Sequence, residues 1–351
     1  MYPNYLTLGL LKSSHPDYVE LLPALNEIEL LASGGYKLKS KIESFLPRRP
    51  GEDADIYETR LKKFTYANIL GSAINKQLAR FNNSSISISG IEDGQDFWNT
   101  FRDDTNLAGR SEKNLLSTIF RECLKFKKVF LHVDKHSVPY EVNSKAEEEI
   151  LGIRPYVTIY PSLQVINWSD KGGEELKWIK VFQISVDSSN PLTKPVTRAT
   201  WTFIDEQYVA RYGAVVELDK NGFIKSIINE RGTSSNDETP IPLLSEPVEH
   251  GMGKIPVIKI EVPDDLWACN QAASKAVEHL RTDCSKYDLL TLAYFQRTFK
   301  RITKPDDDLE KVFQKAFKLL LLVDICFPTM LKPPAVYLRT LNRLKELPIK
   351  L

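Results

Sequence analysis

Residues 251–301 constrain the fold of this chain more than any other stretch. They open with the apolar run Ile255-Pro-Val-Ile-Lys-Ile260, which reads as a short strand broken at Pro263. Asp264 and Asp265 follow, and a short carboxylate there can accept from the free backbone N–H groups of a first helical turn. Beyond them apolar side chains recur at Leu266, Cys269, Ala273, Ala276, Leu280, Tyr287, Leu290 and Tyr294. This three-and-four spacing predicts one helix with a single apolar stripe. Gln271, Lys275, Glu278, Thr282 and Ser285 occupy the opposite side. A helix of about thirty residues is about 45 Å long, more than most single cores need. Two arrangements satisfy the pattern: the central helix of one domain, or a helix that packs against copies of itself.

The rest of the chain changes character once. Residues 16–32 read as a helix with Tyr18, Leu21, Leu22, Leu25, Ile28 and Leu31 on one side, bent or delayed by Pro23 and ended by Ser33-Gly-Gly35. Residues 36–45 suggest another short helix before the breaker Leu46-Pro-Arg-Arg-Pro-Gly-Glu52. One continuous amphipathic helix is expected from Asp55, with Tyr57, Leu61, Phe64, Ala67, Leu70, Ile74, Leu78 and Phe81 at helical spacing. A short helix over 96–101 and a helix capped by Ser111 complete this mainly helical part. From Lys128 onward, alternating aromatic-rich runs at 129–133, 156–160, 164–168, 176–186, 198–204, 207–218 and 223–229 predict an antiparallel sheet, with Asp219-Lys-Asn-Gly222 as a hairpin turn. Residues 232–246 read as a polar loop. Helical patterns return at 307–322 and 336–347. The expected class is α+β, divided into a helical arm at 1–54, a helical part at 55–127, an antiparallel β part at 128–250, the strand with its long helix at 251–304, and a terminal segment at 305–351.

Charge and cysteine usage narrow the function classes. The chain of 351 residues carries 47 Lys and Arg against 46 Asp and Glu, which argues against a protein that holds nucleic acid on a broad basic surface. Cys123, Cys269, Cys284 and Cys326 form no CxxC pair and read as reduced packing residues of a cytosolic protein. The N-terminal residues lack a basic stretch followed by an apolar core, so no signal peptide is expected. The most apolar run, 316–327, contains Lys318 and Asp324 and is too short to span a bilayer.

The sharpest catalytic pattern is His132-Val-Asp134-Lys-His136. Alternate residues of a strand share a face, so two imidazoles and a carboxylate there suit a metal, and a metal-dependent hydrolase is one reading. The competing reading is a solvated strand edge, since no further His, Cys or acidic cluster is matched to it by motif. His15, His250 and His279 are isolated and read as structural. Gly251-Met-Gly-Lys254 lacks the spacing of a phosphate loop. Asp306-Asp-Asp308 is an N-cap cluster rather than a metal site. The basic cluster Arg297, Lys300, Arg301 and Lys304 complements a helix C-terminus or marks a docking end. No catalytic constellation emerges, so neither an enzyme nor a cofactor is expected.

Three stretches together resemble the portal proteins of tailed bacteriophages, in a less characterised branch. They are FLPRRPGE (45–52) followed by Tyr57 and Arg60, GIRPYVTIYPSLQVINW (152–168), and HGMGKIPVI (250–258) running into a long helix. The resemblance spans roughly residues 36–301 and rests on the order of these motifs. It implies a ring, usually of twelve subunits, at one capsid vertex, with 1–250 as a wing, 264–297 as a stem helix lining a DNA channel, and a clip-like segment or the start of a second stem helix thereafter. Lys275, Arg281 and Lys286 are then candidates to meet DNA. Leu266, Cys269, Ala273, Ala276, Leu280 and Tyr287 are candidates for the contact between subunits, so Leu280→Asp is expected to abolish the oligomer and spare the monomer. The implied partners are further copies of the chain, the major capsid protein, the packaging motor (terminase large subunit), head–tail adaptor or neck proteins and double-stranded DNA in transit, with no membrane. The implied location is the virion, and the host cytoplasm during assembly. Portals normally continue through a second stem helix to a crown, and this sequence stops near the start of such a helix. A connector that never closes a ring, or a portal fragment, is the alternative.

Overall fold

The computed structural model describes residues 2–294 apart from 86–94, 136–143, 170–175, 190, 191, 193, 220, 221, 230, 231 and 235. Residues 1–290 form one compact unit. The class is α+β, as the patterns predict.

The helical half runs through β1 (Tyr5–Thr7), α1 (Leu8–Lys12), α2 (Pro16–Ser33), α3 (Gly35–Lys39), α4 (Ile42–Phe45), α5 (Ala54–Lys63), α6 (Ile69–Asn82), α7 (Gln95–Asp103) and α8 (Glu112–Phe126). Its ends follow local chemistry. The Nδ1 of His15 accepts from the Asp17 amide at the start of α2, and Pro16 supplies a first-turn residue with no N–H to satisfy. Pro23 lies within α2 without ending it, and Gly34, at φ +58°, does end it. Ser111 caps α8 by accepting from the Asn114 amide.

The single helix expected from Asp55 to Phe81 is instead two helices. Phe64 turns extended at φ −63° and ψ 147°, and the chain restarts at Asn68. The Oδ1 of Asn68 caps α6 by accepting from the Gly71 amide, while its Nδ2 donates to the Ala32 carbonyl at 2.9 Å. Tyr66 donates its hydroxyl to the Leu31 carbonyl. Gly71 is required there, because a Cβ would stand 2.5 Å from the Ala32 oxygen. The break therefore docks the end of α2 against the start of α6.

The sheets follow: β2 (Lys128–Lys135), α9 (Lys145–Ile150), β3 (Pro155–Pro161), β4 (Val165–Trp168), β5 (Ile179–Asp187), β6 (Val196–Ile204), β7 (Tyr208–Leu218), β8 (Ile224–Asn229), β9 (Gly232–Ser234), β10 (Pro240–Pro242), β11 (Val248–Glu249) and β12 (Val257–Glu261). Strands β4 to β9 pair in sequence order as antiparallel neighbours, with β11 added to β7, and the sheet curls into a half-barrel. A second sheet has the order β12-β2-β3, and β1 pairs with β10. Residues 232–246, expected as loop, thus contain two short strands.

Alternation decides where the cores lie. Along β6 and β7, Ala199, Trp201, Ala210 and Tyr212 face Leu8, Leu11 and Ile241, which cover one side of the large sheet. On its other side Ile179, Val181, Ile204 and Val209 meet Phe130 and Tyr160 of the three-stranded sheet. Lys180 is the buried exception on the first side. Its ammonium donates to the carbonyls of Leu10 (2.8 Å) and Ser13 (2.7 Å) and to the Ser13 hydroxyl (2.8 Å), so a cation sits against the carbonyls at the end of α1.

Strand pairing crosses the expected segments 1–54, 128–250 and 251–304: β1 pairs with β10, and β12 joins β2 and β3. Among the described residues no helix is long and apolar enough to cross a membrane.

Candidate functional site

The long helix, α10 (Ala268–Tyr294), is the element on which the functional expectation rests. It does not start at Asp264. Residues Asp264–Leu266 make a short 3-10 turn, and Trp267, at φ −78° and ψ 72°, separates it from the helix proper. Lys127 fixes this junction: its ammonium lies 2.6 Å from Asp264 Oδ1 and 3.4 Å from Glu261 Oε1. Trp267 is buried and donates its indole N–H to the Lys125 carbonyl at 3.1 Å. Strand β12, the turn and Trp267 are thereby tied to the end of α8.

The apolar stripe is occupied from within. Trp267, Cys269, Ala273, Ala276, Leu280 and Cys284 are all buried, Leu280 completely, against Leu25, Ile28 and Leu31 of α2, Leu70, Ile74 and Leu78 of α6, and Leu38, Ile42, Phe45 and Phe126. Of the six residues expected at a contact between subunits, Cys269, Ala273, Ala276 and Leu280 are therefore core residues of the chain itself. That corrects the expectation for these four, because no surface remains on them for a second copy. Leu266 (64% exposed) and Tyr287 (53%) stay on the surface, as does Leu289 (52%). Burial pushes the Cys269 thiol up to about 11 and also raises Cys284, so both behave as small apolar side chains. Cys123, Cys269 and Cys284 are free, and Cys326 lies outside the described residues.

The second half of α10 is clasped by polar groups. Arg281 donates Nε–H to the Phe45 carbonyl at 2.9 Å. Arg49 reaches Asp288 Oδ2 at 3.1 Å and the Ser285 hydroxyl at 3.4 Å. Behind Arg49, Arg60 holds Glu52 through Nε to Oε1 (2.9 Å) and Nη2 to Oε2 (2.8 Å), and also donates to the Pro47 carbonyl. The two side chains of this pair are only 6% exposed. Hydrogen bonds from Arg60 and from the Arg49 amide hold the Glu52 carboxyl down at about 2. Tyr57 donates to the Leu46 carbonyl. The breaker segment 46–52 is thus an ordered clasp, and no local pattern in the sequence announces that Arg49 and Asp288 will meet.

The three DNA-facing candidates separate accordingly. Lys275 is exposed and pairs with Glu278 at 2.8 Å; this partner raises its pKa and keeps it charged. Lys286 is exposed. Arg281 has its Nε engaged inside the chain. The outward face also carries the pair His279–Asp283 at 3.4 Å.

Of the metal pattern on β2, His132 and Asp134 lie within the described residues. His132 is 2% exposed, stacks on Tyr160 and leaves Nε2 without a hydrogen-bond partner. Burial lowers its pKa, and nearby Arg211 and His250 act in the same direction while Asp134 opposes them. Asp134 accepts from the Tyr156 hydroxyl (3.0 Å) and from the Lys135 amide (2.8 Å). His136 lies outside the described residues. Among the described residues no three His, Cys, Asp or Glu side chains converge on a point that would hold a metal ion. His15 stacks on Trp168, and the Nε2 of His250 bonds with the Asp205 carbonyl, both structural placements. The basic cluster 297–304 and Asp306-Asp-Asp308 lie outside the described residues.

Comparison with protein-family models and with curated proteins returns no match.

Proposed function

We propose that the chain is a phage portal subunit, a head-to-tail connector that assembles into a ring at a capsid vertex and conducts double-stranded DNA during packaging and ejection. The observation that carries this reading is the unit of β12, turn and α10: a short strand running into a helix of 27 residues. The motif residues that resemble portals support it by their position around this unit. Arg49, Glu52, Tyr57 and Arg60 build the clasp on α10, and Arg154 holds the Asp104 carboxylate at 2.7 Å beside β3. A mixed-sign outer face suits a wall that DNA slides past, since few counterions are released on contact. In this reading Lys275 and Lys286 line the channel. The contact between neighbours uses Leu266, Tyr287 and Leu289 rather than the buried stripe. The capsid protein, the packaging motor and neck proteins are the partners.

Negative-stain imaging of the purified protein tests the reading. Rings with a central hole and a mass near twelve subunits support it. Discrete single particles overturn it in favour of a connector that does not close a ring, a reading that the internal use of the α10 stripe favours.

A further inference from the structure

One face of the large sheet is only partly covered. The registers Val181↔Thr202, Gln183↔Thr200 and Thr202↔Arg211 place Gln183, Thr200, Thr202 and Arg211 on the face that also carries Ile179, Ile204 and Val209. The apolar end of this face is closed by Phe130 and Tyr160. Past Tyr160 the two sheets part, and a cavity of about 590 Å³ opens, with Gln164, Gln183, Thr200, Thr202, Arg211 and Tyr160 in its lining. That volume is in the usual range for a small-ligand site.

The hydrogen-bonding capacity left open in this cavity is lopsided. Among the described residues the Arg211 guanidinium makes no hydrogen bond or ion pair, and the hydroxyls of Thr200 and Thr202 bond to no described residue, although Thr202 is only 5% exposed. Behind Tyr160, the ring of His132 is buried and leaves Nε2 unpartnered on the side of β2 that faces the large sheet. The carboxylate of Asp134, two residues along, is already engaged by Tyr156 and by the Lys135 amide. A planar five-donor fork flanked by hydroxyls, with no carboxylate paired to it among the described residues, matches an acceptor-rich group that takes two parallel N–H bonds.

We propose that this cavity is an oxyanion-binding site that takes a small ligand through a carboxylate or phosphate group, gripped by Arg211 with Thr200 and Thr202. The site is independent of the portal reading, because none of its residues belongs to α10 or its clasp.

The test is isothermal titration of the full chain at constant ionic strength, with chloride as reference anion and inorganic phosphate and malonate as separate probes. A single saturable site for either probe is expected. Arg211→Gln weakens it about tenfold or more, the loss of a charge-assisted pair, and Thr202→Val weakens it less. Arg80→Gln, an exposed arginine on α6, leaves it unchanged. Binding of phosphate alone, malonate alone or both supports the site and identifies its ligand chemistry. The proposal is overturned if neither probe saturates, if Arg211→Gln binds like the parent, or if Arg80→Gln loses as much as Arg211→Gln.

Discussion

Arg281, near the middle of the long helix, donates its Nε–H to the backbone carbonyl of Phe45 at 2.9 Å, although 236 residues separate them in sequence. With Arg49 on Asp288, this bond fixes the outgoing half of α10 to the clasp formed by residues 45–60. Replacing Arg281 by Met keeps the aliphatic stem and removes the donor. The expected cost is about 1 kcal/mol, the net worth of one such bond. A urea midpoint lowered with an unchanged slope would agree, and an unchanged midpoint would show that the bond contributes nothing.

Leu280 is the most deeply buried of the described side chains of the helix. Truncation to Ala is expected to cost about 3 kcal/mol, the range for a leucine removed from a packed core. Leu280→Asp goes further, since a carboxylate placed among Ile28, Leu31 and Ile74 finds no partner; the variant is expected not to fold. Circular dichroism with a thermal scan decides this. A cooperatively folded monomer of the Leu280→Asp variant would return the stripe to the surface and restore its role between subunits.

The pair Glu52–Arg60 predicts a specific acid response. The Glu52 carboxyl stands at about 2 in the folded chain against an ordinary value of 4.5. The unfolded chain therefore binds more protons across that interval, and the stability contributed by this group is complete above about 4.5 and lost as the pH falls through about 2. Glu52→Gln removes this component, so its stability falls less steeply over the same window than that of the parent. Equal slopes in a pH series of urea melts would contradict the assignment.

Lys180 holds the N-terminal segment to the sheet through Leu10 and Ser13. Burial pulls its ammonium down to about 8, still charged at neutral pH. Lys180→Met fills the same space but removes the charged donor that Leu10 and Ser13 share, at an expected cost of about 2 kcal/mol. Faster amide exchange across residues 5–12 than elsewhere in the sheet is the matching signature. Uniform exchange would show that β1 and α1 are held by packing alone.

The elements that were legible in the sequence are those set by neighbours a few residues away. The stripe of α2, the Ser111 cap and the alternating strands all follow from local spacing and local hydrogen bonding. The break between α5 and α6 was hidden because Phe64 and Ala67 keep the helical period; Asn68 four residues before Ser72 was the only local hint. Whether the α10 stripe faced the same chain or another copy was undecidable from periodicity, which reports that a face is buried and not against what. Trp267 at the helix start and Cys284, continuing the spacing from Leu280, were the cues to a fully internal stripe. The clasp on α10 and the donor-lined cavity join residues up to 239 apart, and no pattern in a linear sequence pairs them.

Hydrogen exchange along α10 in dilute, monomeric protein tests most directly that the long helix is built into the chain's own core. Amides of residues 272–284 are expected to exchange only through global unfolding, as slowly as the central strands β6 and β7. Rapid exchange there in the monomer, with protection gained only on assembly, would contradict the account and make the helix a surface that other copies complete.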